Sequence, residues 1–579
     1  MKLNIISDIK VLKKLLDFVS KKKLMACVFF ICIIVSLQMT FPIISQKIID
    51  IALLKENKIK DITIFGIILL SLMLFRNIIV FIQNYILIKI ANKFVFTLRV
   101  HLFNHVQKMN LADVFKLKVG YLLSRTVDDV NILEPFISDS LFYSIQSIFL
   151  FLASFFIAFK INKNISFLSI LVLVLYLIIL IIFKREIKKK GIIVREHFAD
   201  TQKEQQEYYS NIPVTKSYNA EKYITIKFIN IIKKYIKKKA DYNIYSTISG
   251  LAPLIVSWSV NILVLWFGCI AINKGTATIG YIIALRVYVD YLFSSSQGLY
   301  NLVINLQPTI IAAERVFNIL EVKEENYTKG NNYKLTKGSI EFKNIAFKYD
   351  EHALILDDVN LEIKTGEKIA FVGYSGCGKT TLLSLINKYN MPIRGEILIN
   401  DININDIKIF TIRNHISYVT QDTLLFSDTI IENIRLGNRN VSEKEIYDIG
   451  ELVGIDKFID KLPKGYNSLI GERGYNLSGG QKQCISIARA LIKKPIILIL
   501  DEATSQLDSE SEKHIQSNIL KYFSDCTMLM VAHRISTITS ADRIVVIDKG
   551  KVESSGKHNE LLIKSNLYNN LCKKQLINS

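Results

Sequence analysis

The residues best suited to chemistry are those of Gly373-Tyr374-Ser375-Gly376-Cys377-Gly378-Lys379-Thr380, a G-x-x-x-x-G-K-[ST] loop. An apolar run at 368–372 precedes it and reads as a buried strand; 381–386 follows and reads as a helix. In that setting the glycines let backbone N–H groups turn toward phosphate oxygens, and the helix N-terminus adds partial positive charge. Lys379 is placed to reach the β- and γ-phosphates of a nucleotide, and the Thr380 hydroxyl to hold Mg²⁺. The expected phosphate contacts are Gly373, Ser375, Gly376, Cys377, Gly378, Lys379, Thr380 and Thr381. A second apolar run, 496–500, ends in Asp501-Glu502. An aspartate at the carboxyl end of a strand is where Mg²⁺ is steadied opposite such a loop. The adjacent Glu502 is the candidate general base for an attacking water. Adjacent carboxylates after a strand are often only a surface turn, but the phosphate loop upstream favours the catalytic reading.

These residues need elements to hold them. From Ile340 onward, short apolar runs alternate with helical stretches, the pattern of an α/β domain around a central sheet. The first half has another character. Half of the 579 residues are hydrophobic, and mean hydropathy is +0.28, too apolar for an ordinary soluble protein. Apolar segments at about 24–46, 62–88, 136–159, 165–183, 247–272 and 278–306 each meet or nearly meet the length of a membrane span. Only a few residues separate the third from the fourth and the fifth from the sixth, so those pairs form hairpins. The connections at 89–135 and 184–246 are far longer and read as helical extensions beyond the bilayer, each with a short transverse helix near its tip, at 109–115 and 207–217.

The formal charge of +21 could suggest nucleic acid, but the lysines sit in blocks beside apolar segments, as at 21–23, 188–190 and 237–239. That is the pattern of cytoplasmic membrane flanks rather than a basic face, and no nucleic-acid partner is expected. It places the N-terminus and both long connections in the cytoplasm of a multi-pass protein of the cell membrane, where membrane lipids are partners. Residues 9–20 read as an amphipathic helix on the inner membrane surface. The seven cysteines are dispersed without paired or metal-ligand spacing and read as reduced thiols. The domains expected are a transmembrane domain at 1–322, a polar linker at 323–339 and a nucleotide-binding domain at 340–579.

Leu477-Ser-Gly-Gly-Gln481, lying between the phosphate loop and Asp501, makes the chain resemble the ATP-binding cassette (ABC) family. The resemblance implies ATP and Mg²⁺ as cofactors, and a site completed by Ser478, Gly479, Gly480 and Gln481 of another copy of the domain. It also implies that Tyr349 stacks on adenine, Gln421 senses Mg²⁺ and touches the membrane domain, Asp508 crosses the dimer interface, and His533 contacts the γ-phosphate. Gly471-Glu-Arg-Gly474 resembles the segment of exporters that meets the intracellular helices. One departure is Gln506, where the family usually has alanine. In the first half, Gly120-Tyr-Leu-Leu-Ser-Arg125 with Asp128-Asp129-Val130, and Ala312-Ala-Glu-Arg-Val-Phe317, resemble half-size exporters of the multidrug and lipid-flippase type. The fold class so implied is a six-helix all-α membrane domain followed by an α/β phosphate-loop domain. Such a half-transporter works as a homodimer, with one half of a heterodimer and a non-transporting regulatory ATPase as alternatives. Its cargo would be amphipathic or hydrophobic: drug, lipid or peptide. Polar residues in the spans, among them Arg76, Asn77, Gln83, Asn84, Arg286, Asp290, 294–297, Asn301 and Asn305, either line a cargo path or join helices.

Overall fold

The computed structural model describes residues 5–53, 59–349, 353–471, 474, 476–504, 506–532 and 534–578. The chain divides into two compact units, one of residues 1–107 and 119–322, the other of 108–118 and 323–579.

The first unit is helical throughout. Its elements are α1 Ile5–Asp17, α2 Lys21–Leu53, α3 Ile59–Lys108, then, after α4 Leu111–Leu117 of the second unit, α5 Val119–Leu123, α6 Val130–Pro135, α7 Leu141–Ile161, α8 Lys163–Ser210, α9 Ile212–Ser217, α10 Glu221–Asn273 and α11 Ile279–Leu320. Two π-turns, Ser124–Asp129 and Phe136–Ser140, join α5, α6 and α7 into one continuous rod. Among the described residues, Lys21–Leu53, Ile59–Lys108, Val119–Ile161 and Glu221–Asn273 are long and apolar enough to cross a membrane. The two remaining apolar segments lie on α8 and α11. Many side chains of the first fall outside the described residues; Arg286, Asp290 and the serines at 294–296 dilute the second. Phe81, Trp258 and Trp266 stand exposed on these rods, an apolar surface suited to lipid rather than water.

The amphipathic N-terminal helix packs on protein: Leu15 is fully buried, Phe18 meets Phe94 edge-on, and Lys14 pairs with Glu321. Two of the sequence motifs meet inside the unit. Asp129 accepts from Arg125 at 2.8 Å and lies 3.7 Å from Arg315. Some of the span polar groups bond between helices. Asn261 of α10 donates to Asp290 at 2.6 Å and accepts from Arg286 at 3.0 Å, while Arg76 of α3 donates to Gln38 of α2. The side chains of Asn301 and Asn305 lie outside the described residues.

The second unit holds two sheets. β1 Ile340–Phe347, β2 Leu356–Ile363, β4 Arg394–Ile399 and β5 Ile402–Asn403 form an antiparallel sheet in the order β2-β1-β4-β5. The other runs β10-β9-β3-β8-β7-β6, made of β3 Lys368–Val372, β6 Ile416–Val419, β7 Ile497–Asp501, β8 Thr527–Val531, β9 Arg543–Asp548 and β10 Lys551–Gly556. All of its neighbours pair in parallel except β9 and β10. The central strands read as unbroken apolar runs because helices cover both faces. A parallel sheet puts the carboxyl ends of its strands on one edge, where ligands of open α/β sheets bind. The phosphate loop leaves β3 there, Gln421 follows β6, and Asp501 ends β7 level with Val531 of β8.

Two main cores flank this sheet. Cys377 of the phosphate loop and Leu382, Leu383 and Ile386 of the helix after it join one that includes β1, β2 and β4. Cys484, Ile485 and Leu491 of the helix Gly479–Leu491, with Leu477 just before it, join the other, with Ile430, Ile434, Ile446 and Val453.

Candidate nucleotide-binding and hydrolysis site

The phosphate loop turns tightly between β3 and the helix Lys379–Ile386. A Cβ at Gly373 would stand 2.2 Å from the Ile547 carbonyl oxygen; one at Gly378, whose φ is +105°, would stand 2.7 Å from Leu356 Cδ2. Only glycine fits either place. Lys379 is buried and folds over the loop, donating to the carbonyls of Gly373 at 2.9 Å and Tyr374 at 3.0 Å. To reach a phosphate, its ammonium would exchange these carbonyls for stronger, charged acceptors.

Beside the loop, Thr380 Oγ1 donates to Asp501 Oδ1 at 3.2 Å, and Tyr418 OH donates to Asp501 Oδ2 at 2.9 Å. Burial raises the Asp501 carboxyl above the usual carboxylate range; the hydrogen bonds from Tyr418 and Thr380 pull it back, Glu502 pushes it up, and Lys379 draws it down. Thr380 and Asp501 form a hard oxygen donor set of the kind that suits Mg²⁺, which takes few protein oxygens and fills its shell with phosphate and water. Among the described residues no cluster of three His, Cys, Asp or Glu side chains is gathered for a metal.

Glu502 adopts φ +50°, an uncommon conformation for a residue with a side chain. Gln421 Nε2 donates to Glu502 Oε2 at 2.7 Å, so two of the sequence-selected residues are in direct contact. Tyr349 is 40% exposed, with its ring perpendicular to that of Phe347 at 4.8 Å between centroids.

Ser478 caps the helix Gly479–Leu491: its Oγ accepts from the Gln481 N–H at 3.3 Å, and the Gln481 side chain accepts from the Ser478 N–H at 2.9 Å. This capping box fixes the start of the helix, where the positive end of its dipole lies. Gln506 packs on it, its Oε1 lying 2.0 Å from where a Gly479 Cβ would stand. The larger residue at 506 thus fills the space that glycine leaves. Asp508 caps the next helix, accepting from Ser511 N–H at 2.8 Å, and that hydrogen bond holds its carboxyl below the usual range. His533 and Ser505, with Glu472 and Arg473, lie outside the described residues.

Three supports escaped sequence reading. Tyr418 stood in the string before Gln421 without a role. Glu512, 2% exposed, accepts from Thr504 at 2.9 Å and Thr537 at 2.8 Å, and pairs with Arg534, which also donates to the Leu507 carbonyl at 3.0 Å. Its position in the first turn of a helix looks like an ordinary solvated acid. Arg489 donates to the Asn433 and Leu424 carbonyls, each at 2.9 Å, tying the segment after Gln421 to the Ser478 helix. Burial depresses its guanidinium to about 10.

The sequence comparisons agree with this geometry. Residues 356–505 match the family model for "ABC transporter", and residues 24–296 the model for "ABC transporter transmembrane region". A Bacillus subtilis (strain 168) protein, provisionally named a multidrug export ATP-binding/permease protein, is 32% identical over 98% of this chain and 100% of its own length. The chain belongs to the ABC transporter family. A provisionally named multidrug export ATP-binding/permease protein of Staphylococcus aureus (strain NCTC 8325 / PS 47) is 33% identical over 97% of this chain and 99% of its own. A solved bacterial Atm1-family ABC exporter with ATP bound shares the fold, with a TM-score of 0.84 over 96% of this chain and 98% of that one; at 23% identity that likeness concerns the fold alone. As an ABC transporter, the chain couples ATP hydrolysis in its second unit to transport by its membrane unit.

Proposed function

We propose that two copies of this chain form an exporter that moves an amphipathic or hydrophobic cargo (drug, lipid or peptide) out across the cytoplasmic membrane, with N-terminus and nucleotide-binding units in the cytoplasm. The observation that carries the two-copy reading is the division of cores: the phosphate loop belongs to one, the Ser478 helix to the other. The capped N-terminus of that helix is built to receive an anion, and in a dimer it meets the phosphate held by the partner's loop. Gly373 to Thr381 cradle the phosphates, Tyr349 stacks on adenine, and Thr380, Asp501 and Gln421 hold Mg²⁺. Glu502 accepts the proton of the attacking water, His533 steadies the γ-phosphate, and Asp508 crosses the interface. The short helices α4 and α9 pass closure of the units to the membrane rods. The names of the Bacillus and Staphylococcus relatives support export and the cargo class.

Glu502→Gln tests this reading. Loss of a general base lowers turnover by about a hundredfold or more, and the variant should retain ATP as a stable dimer by mass photometry. Turnover at the parent rate would remove Glu502 from its role. A monomer that gains activity only with a related chain would make this one half of a heterodimer. Cargo is sought by ATPase stimulation and uptake into inside-out vesicles.

A further inference from the structure

The chain enters the second unit twice, at Lys108 and at Lys323. These two crossings are fastened together at once. Met109 and Glu324 form an antiparallel bridge, and the Glu325 N–H donates to the Lys108 carbonyl at 2.7 Å. The Glu325 side chain then turns inward, only 4% exposed, into a two-pronged ion pair: Arg413 Nη1 and Nη2 donate to its oxygens at 2.7 and 2.8 Å. A surface clasp would not need such burial. A paired, largely buried guanidinium and carboxylate instead fix direction, since neither can leave the other without an uncompensated charge.

From Arg413 the contacts continue toward the phosphate loop. Its guanidinium lies 5.2 Å over the Tyr389 ring, and Tyr389 meets Tyr418 edge-to-face at 6.0 Å and 76°. Tyr418 OH donates to Asp501 Oδ2, while Thr380 occupies Oδ1. Strand β6, which carries Tyr418, leads within three residues to Gln421 on Glu502. Each step is a packed or hydrogen-bonded contact inside one unit, and the series runs from where the membrane unit's chain arrives to the carboxylate beside the phosphate loop.

We propose that Glu325 and Tyr418 are positioning residues for Asp501, coupled through Arg413 and Tyr389, so that the linker's placement sets how well that carboxylate holds the cation of the bound nucleotide. This rests on the assignment of Thr380 and Asp501 to Mg²⁺ made above. Partners that orient a metal-holding group commonly cost about 10–100-fold in metal affinity when removed. Contiguous packed contacts carry such coupling when both ends bias one element, here β6.

The test uses the full-length protein in nanodiscs with a non-hydrolysable ATP analogue, and reads Mn²⁺ half-saturation by electron paramagnetic resonance. Tyr418→Phe, which keeps the ring, should raise half-saturation about tenfold. Glu325→Gln should raise it about threefold, and the double variant should be no weaker than Tyr418→Phe alone. Nucleotide affinity without metal should stay at the parent value in all three, which separates misplacement of Asp501 from loss of fold. If Glu325→Gln does not fold, Tyr389→Leu interrupts the same series and should give the same threefold shift. Unchanged half-saturation in Tyr418→Phe, with a large shift in Asp501→Asn, overturns the proposal and leaves the metal assignment standing. No shift in Asp501→Asn overturns the assignment itself. A change in Glu325→Gln confined to thermal stability makes the linker a fastener only and also overturns the proposal.

Discussion

The phosphate loop and the Ser478 helix lie within one unit, yet they are organised oppositely. The loop is built inward. Its glycines press against Ile547 and Leu356, its lysine folds over its own carbonyls, and its threonine points at Asp501. The Ser478 helix is built outward. Its cap satisfies the N–H groups of Ser478 and Gln481, while Gln506 packs against Gly479 between them. One region holds a ligand by surrounding it; the other offers a surface that acts only when something is brought to it. Binding and turnover should therefore separate by lobe.

The sharpest way to break that contrast is a matched pair of substitutions. Lys379→Ala removes the buried ammonium and should abolish both ATP binding and turnover, a loss of about a hundredfold or more for one electrostatic group in a shielded site. Gly479→Asp puts a carboxylate at the anion-seeking helix N-terminus. It should lower turnover as severely while a fluorescent ATP analogue still binds with parent affinity. If Gly479→Asp abolished binding too, the lobes would not divide the work as described.

Glu512→Gln probes the joint between the lobes. The buried carboxylate collects Thr504, Thr537 and Arg534, so it ties the loop before Asp508 to the segment after His533. Replacing it removes the charge from the ion pair with Arg534 and weakens the carboxylate's bonds to both threonines. Because the Arg534 side chain is 39% exposed, water offsets part of the loss, and destabilisation of about 1–3 kcal/mol is expected. Calorimetric unfolding of the full chain measures it. Turnover should fall with nucleotide affinity unchanged, since no atom of Glu512 belongs to the phosphate loop.

These supports mark where the sequence stopped being legible. Lys379, Asp501 and Ser478 declare themselves because their chemistry demands a fixed residue at fixed spacing beside a strand or a helix start. The strand 368–372 coincides with β3, and the expected helix at 381–386 forms within Lys379–Ile386. Tyr418 and Glu512 declare nothing, because their partners come from the tertiary fold: Tyr418 meets Asp501 through the register of β6 on β7, and Glu512 meets Arg534 and Thr537 from a separate segment. The membrane unit shows the same split. Apolar length marked its rods, and short helices form at Ile212–Ser217 and, within the second unit, at Leu111–Leu117, near their expected places. The joint of Asn261 with Arg286 and Asp290 depends on the rotation of α10 against α11, which hydrophobicity alone does not specify.

The smallest effect concerns a lysine that serves structure rather than chemistry. Lys493 follows the Ser478 helix and donates to the carbonyls of Arg413 and Ile416, so it joins the outward-built lobe to the strand leading into the inward-built one. Burial, aided by the charge of Arg413, depresses its ammonium from 10.5 to about 8. Below about pH 8 the lysine is charged in both folded and unfolded chains, and the folded form bears the full desolvation cost. Between about 8 and 10.5 the unfolded chain keeps a proton that the folded chain has released, so unfolding takes up protons and stability rises with pH. The unfolding midpoint of this unit should therefore climb from pH 7.5 to 9.5. Lys493→Met should flatten the climb, whatever it does to the midpoint itself, because the two carbonyls it abandons affect height and not slope. Lys388, depressed to about 8 chiefly by burial, retains its own share of the slope, and only a Lys388→Met/Lys493→Met pair should remove both contributions. An unchanged slope in that pair would mean that both ammonium groups titrate as they do in water, and that the contact between the lobes is wetter than the packing implies.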